Sequence, residues 1–272
     1  MVAMNAQTPP WMAKLTAAGI PIEDGAWLCE RAGIGVVRVP GHAAEALWAQ
    51  LRAVVDQTGL YPIILGGDGA REELSERLAQ GDAERLPAEA LAGIGPIADL
   101  DAWAATRLLA RAEEAREDEM FEEAERFEQL IAARARPPLL TPHNRKTGVT
   151  LCRDTRTQDF LEQVDLALLP TTVGWQAPLL LAFGGWNECP GADEQAALMQ
   201  NWGARYGAEP IAIGPDVVEM KVARPPATSG DAYALSLQHY AYCADIVDQG
   251  TETVDALAEE LLGSNAWFFW WD

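Results

Sequence analysis

Basic residues are scarce in this chain: 20 Lys and Arg stand against 41 Asp and Glu among 272 residues, a formal charge of −21. Nucleic acid and anionic membranes attract proteins through positive charge, so neither is an expected partner. Such a surface keeps a protein soluble or captures a basic protein partner. Histidine is scarcer still, at three, and the four cysteines (Cys29, Cys152, Cys189, Cys243) form no CxxC pair. Neither a zinc site nor a disulfide framework is implied, no metal and no cofactor are expected, and scattered thiols suit a reducing cytoplasm. Long apolar runs are missing too. The most apolar stretches, Ala177–Phe183 and Ala266–Trp271, fall far below the roughly 20 residues of a membrane-spanning helix. Met1–Ile20 lacks the basic-then-apolar layout of a secretory signal. GxSxG, HExxH, the Walker loop and a helix-opening GxGxxG are all lacking.

What is present has ordinary globular composition, 49% hydrophobic and 22% charged, enough for an α/β (α+β) protein with real cores. Trp11–Ala18 and Gly25–Arg31 read as short helical pieces. Ile34–Val39 is β-branched, short and closed by Pro40-Gly41, hence a buried strand. Helical spacing follows over His42–Val55, and Tyr61–Leu65 is a second strand running into Gly66-Gly67. Together they predict a parallel βαβ unit. Gly66-Gly67-Asp68-Gly69 is a plain βα turn, since Asp68, Glu72 and Glu73 make it a poor anion site. These elements define an N-terminal α/β region over 1–98.

Residues 99–148 predict one long acidic connecting helix from Asp99 to Arg136, capped by Asp99 or Asp101 and stopped by Pro137-Pro138, then a polar linker over His143–Gly148. Its run of glutamates is expected to face solvent.

Residues 149–272 form the C-terminal domain. Ala177–Phe183 has no alternation and predicts an interior strand. Ala192–Tyr206 is a helix ended by Gly207, and Glu209–Ile213 and Val217–Val222 are strands around Gly214-Pro215-Asp216. Helices follow over Asp231–Asp248 and Thr253–Leu262, and the aromatic Ala266–Trp271 is a last strand. This order is ferredoxin-like β-α-β-β-α-β, with Val164–Leu169 added to the same sheet. In the last strand Trp267, Phe269 and Trp271 share one face, Phe268 and Trp270 the other. The second face is expected to meet residues before Pro137 or another copy of the chain, so a homo-oligomer is compatible with the sequence.

Two segments carry chemistry-bearing residues. In Gly184–Pro190, Cys189 lies between a strand end and a helix start, where a thiol's pKa is lowered; Glu188 is a candidate base and Asn187 a candidate donor. The alternative is a rigid turn with Cys189 as a small packed residue. In His239–Asp248, His239 and Cys243 share a helical face, beside Tyr242 and Asp245. A continuous helix would put Cys243 roughly 18 Å along its axis from the first loop, too far for one metal site with Cys189; a break near Ala244 would remove that objection.

The segments FGGWNECP (Phe183–Pro190), RYGAE (Arg205–Glu209), VARPP (Val222–Pro226), YAYC-A-DIVDQG (Tyr240–Gly250) and the terminal FFWWD stand in the order of a known family. Residues from about Gln176 to Asp272 resemble an uncharacterised bacterial domain-of-unknown-function family, number four-two-five-three. Val36–Gly67 resembles the N-terminal part of its longer members, and many relatives carry Pro where this chain has Ala244. The resemblance implies no activity. The expected function is that of a non-enzymatic protein-binding factor, of an immunity or accessory kind. The alternative is a small enzyme using Cys189 with Glu188 and Asn187, or His239 with Cys243.

Overall fold

The computed structural model of the chain describes residues 9–80, 93–143 and 148–272. Most of the predicted polar linker, 144–147, lies outside the described residues. The chain divides into two compact units, each assembled from separate stretches: Met1–Gly93, Gly148–Phe183 and Pro210–Pro215 in the first, Ile94–Thr147, Gly184–Glu209 and Asp216–Asp272 in the second.

In the first unit, α1 (Pro10–Ala17) precedes β1 (Gly25–Cys29) and β2 (Ile34–Val39), an antiparallel pair. The expected helix at Gly25–Arg31 is therefore a strand. Its reason is tertiary: Gly25 and Gly35 sit under the Trp11 indole, where any Cβ would collide with the ring. Next come α2 (Gly41–Ala53), the single turn α3 (Val55–Thr58), β3 (Tyr61–Gly66) and α4 (Ala70–Gln80). Gly59 ends α3 in the left-handed conformation, φ +68°, which glycine adopts without steric cost. The Trp48 indole N–H donates to the Pro62 carbonyl at 2.9 Å and pins α2 to the sheet.

β2 and β3 point the same way, as predicted, but they are not neighbours. β4 (Val164–Leu169) lies between them, antiparallel to both. β5 (Ala208–Ile213) then pairs parallel with β3 through Ile64 and Ala212, giving a mixed sheet in the order β1-β2-β4-β3-β5. β4 brings a charge into the sheet: Asp165 is fully buried, and its cross-strand partner Arg38 donates to both carboxylate oxygens at 3.0 and 2.6 Å. Arg38 itself reaches solvent, its side chain 43% exposed, but any other register would leave the buried Asp165 carboxylate without these donors, an uncompensated charge that folding avoids.

The predicted interior strand Ala177–Phe183 is helical. Ala177–Leu180 forms one turn, α7, with Pro178 in its first turn, a position where a missing N–H costs nothing. The ferredoxin-like order thereby loses its first strand.

In the second unit, Asp99 caps α5 (Leu100–Glu117), its carboxylate accepting from Ala102 N–H at 2.9 Å. The predicted single helix is in fact two. α5 ends at a left-handed residue, Glu119 (φ +62°), and α6 (Phe121–Ala133) folds back against it as a hairpin. α8 (Ala192–Tyr206) ends at left-handed Gly207. β6 (Val217–Val222) and β7 (Ala266–Trp270) pair antiparallel, from Val217 with Trp270 to Lys221 with Ala266. Between them run α9 (Ser229–Tyr242), a π-helical turn Ile246–Thr251 and α10 (Val254–Leu261). The predicted helix to Asp248 stops at Tyr242, because Cys243 is extended at φ −144°, ψ 101°.

The core of this unit is aromatic. Trp267, Phe269 and Trp271 are buried on one side of the terminal strand, while Phe268 and Trp270 opposite are half-buried. Trp202 of α8 stacks on Phe269 at 5.7 Å and 4°, and meets His239, Tyr242 and Trp267 edge-on. Each such pair adds about 0.5–1.5 kcal/mol beyond burial. Among the described residues no helix is long and apolar enough to cross a membrane.

Candidate functional site

The loop Gly184–Gly191 closes on itself. Gly184 has φ +105°, and a Cβ there would strike the Pro190 carbonyl and the Gln195 side chain. Gly185 N–H donates to the Cys189 and Pro190 carbonyls at 3.1 and 3.2 Å, and Cys189 N–H to Trp186 at 2.9 Å. Asn187 supplies a left-handed corner at φ +46°, a conformation asparagine tolerates better than most residues. Cys189 points inward and is buried, with the Gln195 amide Nε2 3.7 Å from its sulfur. Glu188 points outward, where its carboxylate pairs with Arg111. The loop thus separates the thiol from its candidate base.

α8 and α9 run antiparallel, as their end-to-end bonds show. At one end the Tyr206 hydroxyl donates to Asp231 at 2.9 Å; at the other the Tyr242 hydroxyl donates to Gln195 Oε1 at 2.7 Å. The end of α9, not its start, therefore faces the Cys189 loop. The predicted 18 Å separation of Cys243 from that loop does not hold, since it required a helix continuous through Cys243 and the opposite polarity. His239, one turn earlier, is enclosed by rings, with centroids 4.7 Å from Trp267 and Phe269 and 5.0 Å from Trp202.

Asn187, Cys243 and Asp245 converge on the terminal aromatic segment. Asn187 Nδ2 donates to the Asp272 carbonyl oxygen at 2.6 Å, and Asp272 N–H donates to Asp245 Oδ2 at 2.9 Å. The Cys243 thiol donates to the Trp270 carbonyl at 2.9 Å, and Trp271 N–H to the Asp216 carbonyl at 3.1 Å. These bonds fix the register of the tail, so that Trp271 drops into the ring cluster against Tyr242, 5.1 Å away.

Burial keeps the Cys243 thiol and the Tyr242 hydroxyl neutral. Desolvation pushes the Cys243 thiol up to about 12. Desolvation also holds the Tyr242 hydroxyl well above its ordinary value, with Cys189 and Cys243 adding to the shift. Neutral thiol and phenol are hydrogen-bond donors, and donation is what the geometry uses. All four cysteines are free thiols, and among the described residues no three His, Cys, Asp or Glu side chains gather as metal ligands.

Sequence reasoning missed Gln195, fully buried and central to the cluster, whose amide also donates to the Pro190 carbonyl at 3.0 Å. Its signal was available: Gln195 stands on the apolar face of α8 with Ala196, Leu198, Met199 and Trp202. A second feature lies where the Tyr240–Gly250 motif segment faces α6. Glu122, Glu123, Asp248 and Glu252, with Arg126, line an open cleft of about 640 Å³.

Residues 165–272 match the family model described as Domain of unknown function (DUF4253). That stretch holds the Cys189 loop, α8, the end of α9 and the aromatic tail, so this part of the chain shares the family's sequence pattern. No curated protein and no solved structure matches the chain.

Proposed function

We propose that this chain is a non-enzymatic binding protein of the bacterial cytoplasm, an accessory or immunity-type factor whose partner is a basic protein. The observation that carries this reading is the open cleft lined by four carboxylates against Arg126. It adjoins a helical hairpin that holds ten acidic and four basic residues between 100 and 133. Field lines from such a cleft concentrate cations and speed their encounter. The candidate catalytic side chains add support from the other direction. Asn187, Cys243 and Asp245 hold the tail, Tyr242 holds Gln195, and Glu188 pairs with Arg111.

The test compares two triple variants with the same change of net charge. Glu122→Gln/Glu123→Gln/Glu252→Gln alters the cleft; Glu23→Gln/Asp24→Asn/Glu30→Gln alters exposed carboxylates elsewhere. Titration calorimetry with an oligolysine peptide at low salt should show binding that the cleft variant weakens severalfold and the control variant leaves near the parent value. Equal weakening by both would reduce the attraction to net charge and remove the cleft from the proposal.

A further inference from the structure

The turn between α5 and α6 spends stability on a surface it does not need as a connection. Glu119 N–H bonds the Arg116 carbonyl and Met120 N–H the Ala115 carbonyl, at 3.1 and 2.7 Å. This is a Schellman closure, whose left-handed position is ordinarily glycine. Here it is Glu119, at φ +62°, an arrangement that costs roughly 1 kcal/mol or more. Met120 is the N-cap of α6 and offers no side-chain bond to the helix, where Ser, Thr or Asp would contribute about 1 kcal/mol. The closure accounts for an apolar residue at 120, because that position commonly touches the third residue from the helix end. It does not account for Phe121, which is 65% exposed beside a Met120 that is 49% exposed. A connecting turn has no use for a solvated phenyl ring, whereas a recognition surface needs an apolar anchor inside a polar rim.

The rim is charged with one sign. From 113 to 125 eight carboxylates stand against Arg116 alone, and Arg116 is engaged by Glu128. Like charge makes a second copy of this chain a poor occupant, and an anionic lipid surface would be repelled in the same way. We infer that the hairpin tip is a docking surface for a lysine- or arginine-rich amphipathic helix of a partner protein. The apolar face of that helix seats on Met120 and Phe121, and its cations meet the surrounding glutamates. The inference rests on the basic-partner reading above and adds to it the secondary structure of the ligand and its anchor.

The full chain is titrated, with fluorescence anisotropy as readout, against a labelled peptide of leucine and lysine. Its leucines stand at i, i+3, i+4 and i+7, and a shuffled peptide of equal composition serves as control. The amphipathic peptide should bind more tightly than the shuffled one. Met120→Ser/Phe121→Ser should weaken the amphipathic peptide about tenfold or more, the loss expected of an anchor residue, and leave the shuffled peptide unchanged. Phe121→Leu should restore most of the affinity, and circular dichroism checks that each variant is folded. Equal affinity for the two peptides, or indifference to the serine variant, overturns the docking surface while the charge-based reading stands. Binding of neither peptide overturns both.

Discussion

Replacing Gln195 by leucine is the most informative perturbation of the buried cluster. Leucine fills nearly the same volume, so the change removes hydrogen bonds without opening a cavity. Gln195 gives its amide N–H to the Pro190 carbonyl and accepts from the Tyr242 hydroxyl. The Pro190 carbonyl keeps a second donor, Gly185 N–H at 3.2 Å. Tyr242 is nearly inaccessible to water, so losing its acceptor should cost the full desolvation of a hydroxyl, about 1–3 kcal/mol. Tyr242→Phe removes the donor instead and should cost about 1 kcal/mol. The double variant, with apolar groups at both positions, should regain part of that loss, leaving a coupling of about 1 kcal/mol or more. Urea titration of the parent, the two single variants and the double variant gives the cycle, and an unchanged denaturant slope confirms that the same surface unfolds. Additivity within about 0.3 kcal/mol would refute the bond as the link between α8 and α9.

Alkaline pH should weaken the fold. Burial raises Cys243 from 9.0 to about 12 and Tyr233 from 10.0 to about 12, so the unfolded chain ionises first and the stability these groups contribute is lost as pH climbs from about 9 toward 12; urea midpoints that stay level up to about pH 11 would contradict this. Gly184→Ala should prevent the Cys189 loop from closing, since its Cβ meets the Pro190 carbonyl at a backbone angle of φ +105°; a melting temperature within a degree or so of the parent would show that the loop tolerates a side chain there.

Elements with a single strong local signal were legible in the sequence. Ile34–Val39 and Val217–Val222 announce strands by β-branching, and Ala192–Tyr206 announces a helix by its period and its terminal glycine. Where the sequence misled, a distant partner decided. Gly25–Cys29 is a strand because β2 and Trp11 make it one. Ala177–Phe183 was ambiguous between buried strand and buried helix, as short apolar runs are, and Pro178 was the one mark that favoured the helix. The break at Asp118–Met120 contains neither glycine nor proline and left no trace. The motif residues were legible as a group, but their task was not. Asn187 and Asp272 are 85 positions apart, and no local pattern encodes their meeting.

The place of β4 sets a timetable for synthesis. Arg38 waits for Asp165, 127 positions downstream, and the strands on either side of β4 are both translated long before it. A ribosome making this chain at about 5–20 residues per second leaves β2 and β3 with open edges for several seconds before the strand that joins them emerges. Unpaired edges of that kind template aggregation, and pairings so remote in sequence close slowly. The formal charge of −21 makes like chains repel one another, and between nascent chains that repulsion opposes edge-to-edge pairing while β2 and β3 wait for β4.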